Sequence, residues 1–262
     1  ISGGGIAGLV AAVAFGDAGF DVLCVDPTPP VTNRDTAGAD LRTTAYLQPG
    51  QTFLQAIGVW PLVADRSAPL QIMRIVDAAG PDLVTKDFNA TDISDAPFGW
   101  NVGNWDMRDG LLSRIAALPN VVFEPGLSTT STNTRSTEAR VTLSDGRLIS
   151  CQLLIAADGR DSAIRKAARI SAKRSDFGQL ALSFAVTHAM GHDNISTEVH
   201  KGGGPFTLVP LPDFEGQPSS AVVWMDKILD IQAMQALSID EFNAEITERS
   251  AGLLGPLSLI TA

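Results

Sequence analysis

Gly3-Gly4-Gly5-Ile6-Ala7-Gly8 has the spacing G-x-G-x-x-G, and it sits between the end of one extended segment, Ile1-Ser2, and the start of a helix. The helix reads over residues 6–18. Ile6, Val10 and Val13 fall at helical spacing, and Ala7, Gly8, Ala11 and Ala12 keep that face thin. Gly19 stops it, and Asp21 to Val25 form a short buried strand that ends at Asp26. In such a strand–turn–helix–strand unit the first glycine permits the tight turn. The second lets the backbone approach a pyrophosphate, and the third lets the helix pack on the sheet. The helix N-terminus then presents free N–H groups and a partial positive charge. The glycines alone could serve only packing. The nucleotide reading rests on Asp26, 18 residues after Gly8, where a strand-end carboxylate can accept bonds from ribose hydroxyls. That carboxylate also disfavours a 2′-phosphate, so NADP is not expected in this site.

The chain of 262 residues is long enough for one or two domains, and 45% hydrophobic with 18% charged residues is an ordinary globular composition. A net charge of −10 argues against a nucleic-acid partner. The two cysteines, Cys24 and Cys151, lie in apolar strand-like runs without a C-x-x-C partner and read as buried reduced thiols, which fits a cytoplasmic compartment. No apolar run approaches 18 residues, so no membrane-spanning helix is expected.

After Asp26 the strand–helix alternation breaks into a loop rich in Pro, Thr, Asp and Gly over 27–41, and a loop of that length suggests function. Helices are predicted over 50–57, 59–65, 107–118, 162–168 and 238–250, the last with Ser238 and Glu241 as a capping box. Strands are predicted at 70–77, 82–88, 120–124, 139–143, 147–156, 179–190, 195–200, 206–211 and 220–225, while the Ser/Thr-rich stretch 128–137 reads as a surface turn. Gly255 to Ala262 reads as the start of an extended segment, and both ends read as cut. The expected class is α/β. A Rossmann-like nucleotide domain (1–69 and 99–169) is interleaved with a mostly antiparallel, β-rich second domain (70–98 and 170–262).

A second element strengthens the nucleotide reading. The apolar run Leu153 to Ala157 ends in Asp158-Gly159-Arg160, after which Ser162 can cap a helix bearing Arg165. Together with the glycine-rich opening and Gly204 to Leu211 (Gly-Pro-Phe-Thr-Leu-Val-Pro-Leu), this resembles the class A flavoprotein monooxygenases, which share the para-hydroxybenzoate hydroxylase fold. Arg42-Thr43-Thr44-Ala45, Leu54 to Trp60 and Asn104 to Arg108 most resemble the polyprenyl-phenol hydroxylases of ubiquinone biosynthesis. The resemblance implies that Gly3, Gly5, Ala7 and Gly8 hold the FAD pyrophosphate and that Asp26 holds the adenosine ribose. It places Arg42 and Arg108 along the cofactor, the Leu127 backbone near the adenine, and Asp158 with Gly159 against FAD. Arg165 is expected to support that loop through local pairing. The implied reaction consumes NAD(P)H and O2 and hydroxylates an electron-rich phenol ring; which side chains are catalytic stays open. Peripheral association with the inner membrane or with a biosynthetic complex is also within what the resemblance implies.

The family's third motif, Gly-Asp followed by Ala-Ala-His, does not occur here and is expected beyond Ala262, together with the last part of the FAD domain. His188 and His192 are four apart, but in a strand-like run without other ligands, so no metal site is expected. His200 precedes three glycines on a strand expected to face the substrate, where an edge-strand role is the plainer reading. Three readings remain open: a ring hydroxylase of ubiquinone biosynthesis, another flavin enzyme of the same fold such as a small-aromatic hydroxylase or an isoprenoid reductase, and a non-catalytic subunit of a biosynthetic complex.

Overall fold

A computed structural model describes residues 1–260, and the end of the extended segment expected at 255–262 falls outside them. The elements in chain order are α1 (Ile6–Asp17), β1 (Val22–Asp26), β2 (Thr43–Leu47), α2 (Gln48–Ala56), β3 (Ser67–Leu70), β4 (Ile72–Asp77), β5 (Val84–Asn89), β6 (Gly99–Gly103), α3 (Asn104–Ala116) and β7 (Val121–Pro125). Then follow β8 (Thr129–Thr134), β9 (Ala139–Leu143), β10 (Leu148–Cys151), α4 (Ala163–Ala167), β11 (Gln179–His188), β12 (Ile195–His200), β13 (Phe206–Phe214), β14 (Gln217–Lys227), α5 (Ile228–Gln235), α6 (Ile239–Arg249) and β15 (Leu257–Leu259). The chain divides into two compact units, Ile1–Asp40, Leu54–Val63 and Asn104–Arg174 in the first, Leu41–Phe53, Ala64–Gly103 and Ser175–Ala262 in the second.

The first unit is built on parallel pairing. β1 lies parallel to β7, in register from Val22↔Val121 to Asp26↔Pro125. On the other side of β1 run residues 1–3. The Gly3 N–H donates to the Val25 carbonyl at 2.8 Å, and the Ser2 N–H donates to the Ile155 carbonyl at 2.9 Å. Ser2 therefore bridges Val25 and Ala156, both in parallel sense. α1 covers this layer with Leu9, Ala12 and Val13, all fully buried. Gly16 packs so closely that an added methyl would meet the Val121 side chain at 2.1 Å. The antiparallel meander β8–β9–β10 buries Val141 and Leu143 with Val25. Its first strand occupies the stretch expected to be a turn. The Ser/Thr side chains there are outward-facing or half-buried, so no apolar alternation announces the strand. The continuous strand expected over 147–156 is instead broken, with β10 ending at Cys151 and pairing resuming only at Ala156. Cys24 is buried, and burial pushes its thiol up to about 11; Cys151 is half-buried, and both are free thiols.

The second unit is a seven-stranded sheet in the order β15-β11-β14-β13-β12-β4-β5, antiparallel throughout except for the parallel pair β12–β4. Alternation along the strands sorts its faces. Phe184, Val186, Phe206, Leu208, Val222 and Trp224 pack on Ile231 of α5 and on Phe242 and Ile246 of α6. The Phe206 and Trp224 rings meet edge to face at 5.7 Å. The capping box that starts α6 is present, with the Glu241 N–H bonded to the Ser238 hydroxyl and the Glu241 carboxylate accepting from the Ser238 N–H. A smaller sheet, β2-β6-β3, is tied to β13 by the Asn101 side-chain amide, which donates to the Pro210 carbonyl at 2.9 Å.

Candidate functional site

The glycine turn is held by contacts that leave no room for side chains. Gly3 has φ 110°, and a methyl group on it would meet the Ala157 carbonyl oxygen at 2.2 Å. A methyl on Gly8 would meet the Gly3 carbonyl oxygen at 1.8 Å. Gly5 is different: nothing lies within 4 Å of the place its methyl would take. Two glycines thus close the turn onto the neighbouring strand and the helix, and the third keeps the space over the turn open. Gly5 is also the N-cap of α1; no side chain caps the helix and its first turn has no acidic residue, which leaves the helix end open to an anion. An FAD pyrophosphate fits this arrangement, with Gly5 and Ala7 at the open helix end.

Asp26 stands at the end of β1 beside this turn. Its Oδ2 accepts from the Gly4 N–H at 2.6 Å and its Oδ1 from the Thr28 N–H at 2.8 Å. Each oxygen keeps a further lone-pair site, so the carboxylate is oriented by the backbone and can still accept hydroxyl donors. The Leu127 N–H donates to the Asp26 carbonyl at 3.0 Å, which places Leu127 next to the carboxylate residue. With that N–H engaged, its carbonyl is the backbone group left to offer a ligand.

Asp158 lies across the turn, since the Ala157–Asp158 peptide is what a methyl on Gly3 would strike. Its Oδ1 accepts from the Ser162 hydroxyl at 2.5 Å and its Oδ2 from the Ile164 N–H at 3.2 Å. Ser162 in turn accepts from the Arg165 N–H at 2.9 Å and caps α4. Gly159 takes φ 85°, the left-handed turn that brings the chain from Asp158 to the cap. Arg165 Nη1 donates to the Arg160 carbonyl at 2.8 Å, the local pairing expected of it. Burial raises the Asp158 pKa, but the bonds from Ser162 and Ile164 outweigh it and hold the carboxyl below its ordinary value of 3.8.

Arg108 on α3 shows a contact that motif reading did not reveal. Its Nη2 approaches Asp40 Oδ2 at 3.4 Å, and the Asn104 side-chain amide donates to the same oxygen at 2.9 Å. Arg108 Nε is buried and has no hydrogen-bond partner among the described residues. A buried, incompletely satisfied guanidinium suits an anionic or carbonyl-bearing ligand. Arg34, from the same 27–41 loop as Asp40, lies 6.0 Å over the Trp105 ring. The signal for Asp40 was present only as the first residue of Asp40-Leu41-Arg42 in a loop already suspected of function. Arg42 itself is exposed and falls in the second unit. The structure therefore gathers Gly3, Gly5, Ala7, Gly8, Asp26, Leu127, Asp158 and Gly159 around one turn.

The histidines have protein partners. His188 Nδ1 and Nε2 lie 2.7 Å from the Met190 carbonyl and 3.0 Å from the Ser220 hydroxyl, and His192 Nε2 lies 3.0 Å from the Leu211 carbonyl. His200 pairs with Glu198 at 2.8 Å on the exposed side of β12. No group of three or more metal-ligating side chains occurs among the described residues.

Two measurements follow from this geometry. Gly5→Ala should leave the thermal unfolding midpoint nearly unchanged yet weaken FAD binding at least about tenfold, since the new methyl meets only the open space. Gly8→Ala should lower the midpoint sharply because it strikes the Gly3 carbonyl; equal effects of the two on unfolding would contradict the assignment. Asp158→Ala should destabilise the protein by about 1–2 kcal/mol at neutral pH through the lost cap and charged hydrogen bonds. Because the folded pKa is depressed, that difference is complete above the ordinary carboxylate pKa and disappears as pH falls through the folded value. Denaturant titration across pH tests this, and a difference that persists at the acid end would refute it.

Comparison with known proteins agrees with this geometry. Residues 1–246 match the protein family described as FAD binding domain. The chain is 31% identical over 255 residues to the ubiquinone hydroxylase UbiL of Rhodospirillum rubrum, a match that covers 97% of this chain and 58% of that protein. It is 24% identical to the 3-demethoxyubiquinol 3-hydroxylase of Escherichia coli, covering all of this chain and 66% of that protein. The chain thus spans about three-fifths of the length of these relatives. Among solved structures, PqsL of Pseudomonas aeruginosa in complex with 2-aminobenzoylacetate superposes with a TM-score of 0.76 at 18% identity, over 98% of this chain and 71% of that one. The p-nitrophenol 4-monooxygenase PnpA of Pseudomonas putida gives 0.73 at 16% identity, over 97% of this chain and 62% of that one. With the family match running through both units and the glycine turn, Asp26 and the Asp158 loop placed as described, the chain belongs to the FAD binding domain family of flavoprotein monooxygenases.

Proposed function

We propose that this chain is the FAD-holding and substrate-facing part of an aromatic ring hydroxylase that uses NAD(P)H and O2 and acts on a polyprenylated phenol in ubiquinone biosynthesis. The observation that carries the reading is the closed glycine turn with an open space over Gly5, flanked by the oriented Asp26 carboxylate and the Asp158 loop. Similarity to ubiquinone hydroxylases supports the choice of substrate class.

In this reading the first unit supplies binding and orientation. Backbone groups at Gly5 and Ala7 face the pyrophosphate, Asp26 takes the ribose hydroxyls, and the Leu127 carbonyl lies toward the adenine. Arg108, steadied by Asp40 and Asn104, and Arg42 run along the cofactor, with Asp158 and Gly159 against it. When bound, FAD supplies the electron transfer and oxygen activation that side chains cannot perform. The second unit supplies a wall for the aromatic substrate. On the sheet face opposite its core, registered pairs place Ser183 and Thr207 beside Val223, and Ala185 and Val209 beside Ala221. Small, partly apolar side chains of this kind suit a prenylated ring. No helix among the described residues is long and apolar enough to cross a membrane. The similarity to ubiquinone hydroxylases supports a cytoplasmic, peripheral protein that meets a lipophilic substrate at the bilayer surface or through a partner of a biosynthetic complex.

The test is an anaerobic addition of NAD(P)H to the full-length protein, followed by oxygen and candidate phenols. Flavin bands that bleach on reduction, and a hydroxylated product formed from prenylated phenols, are expected. Turnover of small hydroxybenzoates alone would overturn the substrate assignment, and a protein that takes up no FAD would overturn the enzyme reading.

A further inference from the structure

The stretch 162–175 contains Arg165, Lys166, Arg169, Lys173 and Arg174 and no carboxylate, in a chain whose net charge is −10. The rest of the chain is therefore more acidic still. α4 ends inside this stretch. Arg169 takes a left-handed backbone, φ 58°, while its N–H bonds to the Lys166 carbonyl at 3.0 Å and the Ile170 N–H to the Arg165 carbonyl at 3.1 Å. This turn fixes a short path on which Lys166, Arg169, Ile170, Lys173 and Arg174 are all exposed, Ile170 at 62%. Among the described residues Lys166, Arg169 and Lys173 have no ion-pair partner. Arg174 pairs with Asp161 at 2.9 Å, but with both side chains open to solvent, and such a pair is weak and readily exchanged.

Unpaired cations around an exposed aliphatic side chain, on a chain otherwise acidic, are complementary to an extended anionic surface rather than to a single phosphate. We propose that residues 165–174 dock the protein on an anionic lipid surface. The four exposed cations Lys166, Arg169, Lys173 and Arg174 fall within the cluster size that binds acidic headgroups, and Ile170 can enter the headgroup boundary between them. The acidic remainder, repelled by the same surface, gives the encounter one orientation. The choice of a membrane over other polyanions rests on the proposed lipophilic substrate; the docking itself does not require that substrate.

The experiment is co-sedimentation of the full-length, FAD-loaded protein with vesicles of phosphatidylcholine, with and without phosphatidylglycerol. Binding is expected only with phosphatidylglycerol and should fall as salt is raised. The triple variant Lys166→Gln, Arg169→Gln, Lys173→Gln should bind on the order of a hundredfold more weakly, about fivefold for each cation, with its flavin spectrum and reduction by NAD(P)H unchanged. Ile170→Ser should weaken binding without altering the salt dependence. Equal binding to neutral vesicles, or a triple variant that binds as the parent does, would overturn the proposal. So would a triple variant that keeps vesicle binding but loses reduction by NADPH, which would make the cluster a nucleotide site. A failure of the hydroxylase reading would look different: protein without bound flavin that still sediments with anionic vesicles.

Discussion

The first unit depends on the close approach of backbone at Gly3. Residues 1–3 lie between β1 and residues 155–157, with Gly3 bonded to Val25, Ser2 to Ile155, and the Ala157 N–H to the Ser2 carbonyl at 2.7 Å. Gly8 rests against the Gly3 carbonyl, so the start of α1 is set by the same few atoms. This one crossing brings together stretches more than 150 residues apart in sequence, and Asp26 and Asp158 arrive on either side of one turn as a consequence. The crossing places the backbones of Asp26 and Asp158, and hydrogen bonds then orient their side chains.

Carboxylates in this unit are oriented by hydrogen bonds. Asp26 is held by two N–H groups, Asp158 by a hydroxyl and an N–H, and Asp40 by Asn104 and Arg108. Such bonds fix the carboxylates before any ligand arrives, which reduces the ordering cost of binding. The second unit uses a different economy. Its sheet has one face committed to the Phe206, Trp224 and Phe242 core and the other lined by small residues, so alternation along each strand separates stability from surface.

Much of this was legible in the residues. The glycine spacing and Asp26 foretold the turn, the apolar periodicity of 107–118 foretold most of α3, and the extended runs at 139–143 and from 179 to 225 foretold β9 and β11–β14. Ser238 and Glu241 marked α6 because a capping box is a local signal. What sequence reading missed was non-local or chemically muted. β8 is built from Ser and Thr, and β6 is a five-residue strand with glycine at each end. α5 follows β14 without a break and leaves Leu229 78% exposed, so it carries no clear apolar stripe. Asp40 meets Arg108 across 68 positions, a pairing that no local pattern encodes.

In the proposed function the glycine turn, Asp26 and Leu127 bind the adenosine diphosphate half of FAD. Competition separates that half from the flavin half. Titrating ADP or FMN against FAD bound to the full-length protein, followed by flavin fluorescence, should show displacement by ADP that is lost in Gly5→Ala. Displacement by FMN, with ADP inert, would contradict the account.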